Sequence, residues 1–161
     1  MHNCQNLNTD QRHHILKLLR TKWPPTDDTW WHPLDACRAP DALHVETAWF
    51  ETQVSLDVLR MRLADAGYAI IWQLFEGTPH WDDDPPPDVR DCSCAALDAR
   101  LATGASEAIW MPSNLDWVIY TDHNQGTYFV GRWLLELIEE LWPEWEAHQW
   151  SSPFYVRPNR V

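Results

Sequence analysis

His80-Trp81-Asp82-Asp83-Asp84 is where side chains able to do chemistry crowd closest together in this chain. An imidazole beside three carboxylates is a donor set that divalent metals accept. Asp122-His123 and His148 are the groups that could converge on it from elsewhere. A metal-dependent hydrolase would therefore use His80, Asp82, Asp84 and His123. Two features pull the other way. No HExxH or His-x-His frame is present to hold ligands on one face. The run also lies within EGTPHWDDDPPPDVRD, and acidic residues in a proline-rich loop are ordinarily just solvated.

Other chemistries find less to work with. The five glycines, Gly67, Gly77, Gly104, Gly126 and Gly131, fall where elements end, leaving none for a phosphate-cradling loop. None of Ser55, Ser93, Ser106, Ser113, Ser151 or Ser152 sits in a G-x-S-x-G elbow. The four cysteines are Cys4, Cys37, Cys92 and Cys94. Cys92 and Cys94 would diverge on a helix at i and i+2, and no second pair has zinc spacing. They read as reduced thiols of a cytoplasmic protein. The polar start MHNCQNLNTDQRHH has no apolar signal core, and no run approaches the ~18 apolar residues of a membrane span. No cofactor is implied.

Charge narrows the partners. Twenty-four Asp and Glu against twelve Lys and Arg leave a formal net charge of −12. That disfavours nucleic-acid phosphates and anionic membranes, which attract cationic patches. A basic protein partner, a small molecule and plain solubility all remain compatible with this charge, and of these a basic protein is the first choice. The acidity gathers at 82–91 and 136–146, and from Arg132 to Trp150 five glutamates face one cation. The residues that would meet a basic surface are Glu136, Glu139 and Glu140, with Asp82, Asp83, Asp84 and Trp81. Twelve tryptophans point to a core built from indoles. Trp30, Trp31 and Trp81, in loop-like stretches, suit an alternative of stacking on sugars or small molecules.

The elements that must position these groups make a single α+β domain over 1–161, with a mixed, largely antiparallel sheet of about five strands covered by helices. Asp116 to Asp122 is rich in strand formers, with Trp117 and Ile119 on one face and Val118 and Tyr120 on the other, so both faces must be covered. His123 to Gly126 turns the chain, and 127–130 returns. After Gly131, residues Trp133, Leu134, Leu137, Ile138 and Leu141 form one stripe of a helix that Pro143 ends. Pro143 also suits the start of a short helix, PEWEAHQ. Upstream, the pattern predicts a helix over 9–22 with a basic face, a strand over 42–54, and a helix after Ser55 closed by Gly67. A strand over 68–75, a helix from Asp91 to Gly104 and a strand over 107–111 follow. Trp72, Trp117, Ile119, Leu134, Leu137 and Leu141 are the expected core.

Trp110-x-Pro112, then LDWVIYTDH with Trp117, Tyr120 and His123, then Gly131, resembles segments of small uncharacterised bacterial proteins. Some of those look like immunity proteins that neutralise toxins. The resemblance spans about thirty residues. It implies a binding role and carries over no functional residue.

Overall fold

In a computed structural model of the chain, the structure describes residues 4–23, 42–76, 86–97, 107–121 and 126–148. All its strands join one sheet. In chain order they are β1 (Cys4–Asn6), β2 (Ala42–Glu46), β3 (Ile70–Glu76), β4 (Val89–Ser93), β5 (Glu107–Met111), β6 (Val118–Thr121) and β7 (Gly126–Val130). The helices are α1 (Thr9–Lys22), α2 (Thr47–Gln53), α3 (Leu56–Asp65) and α4 (Arg132–Leu141), with short 3-10 turns at Cys94–Ala96 and Trp145–His148. The strand order is β1-β4-β3-β5-β6-β7-β2, so the two N-terminal strands form the two edges. Every pairing is antiparallel. The α+β reading stands, but among the described residues the sheet has seven strands rather than about five, and no parallel pair.

The two extra strands are β1 and β4. The first has no apolar alternation and is exposed at all three residues. The second lies where Asp91 looked like a helix cap. Its five pairs with β3 and three with β1 override that local preference. The cap moves to Ser93, whose hydroxyl accepts from Ala95 N at 3.3 Å and opens only the 3-10 turn. Residues 98–106 of the expected helix lie outside the described residues. The expected strand over 42–54 also divides. It pairs with β7 through Glu46, then winds into α2, because Thr47, Phe50 and Val54 bury at helical spacing.

Alternation along the strands builds a core on each face of the sheet. One face gathers Leu43, Val45, Ile71, Trp110, Ile119 and Phe129 beneath α2, α3 and α4, with Trp117 among them. The other gathers Leu74, Ile109, Met111, Val118, Tyr120 and Val130 with Ile15, Leu16 and Leu19 of α1. β6 is thus covered on both sides, as its sequence requires. Trp117, Ile119, Leu134 and Leu137 are buried as expected, whereas Trp72 and Leu141 are half-buried against the edges of the two cores.

Local signals set the helix ends. Asn8 Oδ1 accepts from Gln11 N at 2.9 Å while Gln11 Oε1 accepts from Asn8 N at 3.0 Å, a complete capping box for α1. At the end of α3, Gly67 N donates to Ala64 O and Tyr68 N to Leu63 O, both at 2.9 Å, around Gly67 at φ +92°. This is the paired carbonyl capping of a Schellman motif.

Candidate functional site

The layer of α2, α3, α4 and the turn after it positions the acidic residues. Leu134, Leu135, Leu137 and Ile138 point α4 into the core, which leaves Glu136 and Glu140 exposed and Glu139 half-buried. Arg132 Nε donates to Glu136 at 3.0 Å, one helical turn away. Arg62 of α3 reaches Glu140 with both guanidinium nitrogens, each at 2.7 Å. That fork holds the Glu140 carboxyl below the usual carboxylate range and raises the Arg62 guanidinium. Arg60 bonds Asp57 at 2.7 Å and also donates to Leu97 O.

Residues 47–67 and 131–148 of this layer hold eight carboxylates and three arginines, and each of those arginines is engaged by a carboxylate. Exposed Glu144 and Glu146 enter no ion pair among the described residues. The opposite layer has the reverse sign. α1 carries Arg12, Lys17, Arg20 and Lys22 with Asp10 its one acid. Arg12 is tied to Asp88 at 2.7 Å and Lys22 to Asp116 at 3.1 Å. The sheet therefore separates an acidic helical layer from a basic one.

A column of rings runs through the acidic layer from solvent to core. Trp49 of α2, 40% exposed, lies 4.9 Å from His148 between ring centroids. His148 stacks on Trp142 at 5.5 Å and 19°. Trp142, 3% exposed, meets Phe50 at 6.3 Å, and Phe50 meets Phe129 at 4.7 Å. Met61 on α3 is a second exposed apolar side chain of this layer, at 54%.

Of the residues singled out as partner-binding, the structure brings together Glu136, Glu139 and Glu140. His80, Trp81, Asp82, Asp83, Asp84 and His123 lie outside the described residues, as do Trp30 and Trp31. Among the described residues no group of three His, Cys, Asp or Glu side chains is placed to hold a metal.

Three features escape the sequence reading. His44, buried, stacks on Tyr128 at 3.8 Å and 7°, and Tyr128 on Tyr120 at 5.5 Å. Ring faces rather than ring nitrogens and hydroxyls meet, so the row packs as core. Its signal was present in the alternation of β2, which sends His44 opposite to Leu43 and Val45. Cys4 and Cys92 form a disulfide that joins β1 to β4, with Cα atoms 4.2 Å apart. This corrects the reading of reduced thiols for these two cysteines, and with it the cysteine argument for a cytoplasmic setting; Cys37 lies outside the described residues. The register puts the two cysteines opposite one another, a proximity invisible at a separation of 88 residues. A groove of about 390 Å³ lies beside it, lined by Cys4, Gln5, Ile70, Asp91, Cys92 and Ser93. Lastly, Cys94 is a buried free thiol that donates to Arg60 O at 3.7 Å. Burial pushes it above the usual thiol range, away from the thiolate a nucleophile needs.

No described helix is long and apolar enough to cross a membrane. Compared with protein-family models, curated proteins and solved structures, the chain matches none.

Proposed function

We propose that this is a non-catalytic, acidic binding protein. It docks a basic protein through the α2–α3–α4 layer, in the way an immunity-type inhibitor would cover the cationic cleft of a toxin such as a nuclease. The observation that carries this reading is the excess of carboxylates over engaged arginines in one helical layer, set against a basic layer across the sheet. Carboxylates speed encounter with a cationic surface, and exposed apolar side chains such as Trp49 and Met61 supply area to bury after contact.

The test begins with the basic protein recovered from the native host, or with the product of the neighbouring gene. Its association rate with this chain should fall steeply as salt rises. Changing Glu136, Glu144 and Glu146 to Lys should slow association about 10-fold or more at low salt, in line with the range that electrostatic steering commands. Thermal stability should barely move, because the one ion pair lost is exposed. An unchanged rate and salt dependence in the triple variant would remove this layer as the interface.

A further inference from the structure

We infer that Trp49 is the anchor of this surface and that it takes an arginine side chain of the partner. The inference rests on the acidic-layer reading and names the chemistry recognised there. Trp49 is the most exposed indole among the described residues. Such a ring on a surface usually wanders among rotamers. Here it sits within α2 and leans on His148, which is stacked on buried Trp142, which in turn contacts Phe50 in the core. The ring is thus supported from beneath while a large part of it stays open. A pre-organised aromatic surface loses little freedom on binding, which is what makes tryptophan an effective anchor.

The surroundings choose the ligand. Glu46 lies one helical turn before Trp49 and is exposed, and exposed Glu144 and Glu146 lie just before and within the turn that carries His148. Among the described residues no ion pair occupies Glu144 or Glu146. A partly exposed indole in a layer with an excess of carboxylates attracts a cation through its quadrupole. Between the two natural cations, the guanidinium is planar and weakly hydrated, so it stacks on an indole while its edge donates to carboxylates. A lysine ammonium reproduces the charge but not the stacking. The partner's contact residue is therefore an arginine.

Fluorescein-labelled hexa-arginine and hexa-lysine peptides, followed by fluorescence anisotropy at low salt, test this directly. The wild-type chain should bind hexa-arginine more tightly than hexa-lysine. Trp49→Ala should weaken hexa-arginine by about 2- to 30-fold, the span of one cation–π contact, and erase the preference. Trp49→Phe should keep part of both. Glu144→Gln with Glu146→Gln should weaken the two peptides alike and leave the preference intact. In the wild-type chain, which carries no folding risk, hexa-arginine should move the Trp49 indole N–H resonance, assigned from the Trp49→Phe spectrum. If hexa-arginine binds and its preference survives in Trp49→Ala, or another indole resonance moves instead, the anchor is wrong while the acidic layer stands. If neither peptide binds at low salt, the acidic-layer reading fails along with it.

Discussion

Gly131 and Gly67 both adopt positive φ, at +106° and +92°, yet they answer to different constraints. At Gly67 a Cβ would meet nothing within 4 Å, so the backbone conformation alone calls for glycine. At Gly131, just before α4, a Cβ would strike the Asp116 carbonyl oxygen and lie 2.9 Å from Trp117 Cα. Gly67→Ala should cost about 1–2 kcal/mol, the ordinary penalty of a left-handed residue. Gly131→Ala should cost more than about 3 kcal/mol, since a steric clash with the backbone leading into β6 adds to that strain. Equal midpoints in urea unfolding would mean that the approach of Gly131 to Asp116 and Trp117 is looser than described. Glu51 poses a different problem. One of its carboxylate oxygens is buried with no hydrogen-bond donor among the described residues, and burial raises the carboxyl above the usual range. The folded protein then keeps a proton that the unfolded chain has released. Its contribution to stability is complete below the unfolded value and is lost as pH rises through the folded one. Glu51→Gln should flatten that decline, leaving the variant at least as stable at neutral pH. A steeper fall in melting temperature with rising pH would contradict this account.

Elements whose own periodicity decides them were legible in the sequence. α1, α3, α4, β6 and the β6–β7 hairpin follow from stripe, cap and alternation within the segment, and Asn8, Gly67 and Gly131 mark their ends. β1, β4 and the start of α2 were not legible, because pairing and packing with distant segments decide them. Cys4-Gln5-Asn6 has no strand character of its own. It becomes a strand only because β4 offers an edge and Cys92 stands opposite Cys4. The same distance hid the disulfide. Tying residues 88 apart restricts the unfolded chain strongly, so the bond should supply about 2–4 kcal/mol. Cys4→Ser with Cys92→Ser should lose that much in chemical denaturation, and backbone amides of β1 and β4 should exchange faster than those of β6. Full stability of the double variant, with β1 protection intact, would show that the strand pairing holds the edge unaided.

On the scale of the molecule, net charge alone says only that the chain is acidic. Which residues form the acidic surface was half legible: the one-signed run of α4 showed in the sequence, but the fork from Arg62 and the engagement of Arg132 did not. The basic face of α1 was legible too, but not its place on the far side of the sheet. That arrangement makes a prediction that bulk charge does not. A helix packs on a sheet at a spacing of roughly 10 Å, as does any layer on another. The outer surfaces are therefore separated by well over the ~8 Å Debye length of physiological salt. At that ionic strength an approaching cation should feel the near layer and not the sum. Two variants separate the possibilities. Glu144→Gln with Glu146→Gln removes two negative charges from the acidic layer, and His13→Lys with His14→Lys adds two positive charges to exposed positions of α1. Each takes the formal charge from −12 to −10 by the same step of two. Stopped-flow association with hexa-arginine at about 0.15 M salt should slow in the first and stay unchanged in the second. At about 0.01 M, where screening extends to ~30 Å, both should slow. If the two variants behave alike at both ionic strengths, the chain acts through its total charge and the separation of its layers has no part in binding.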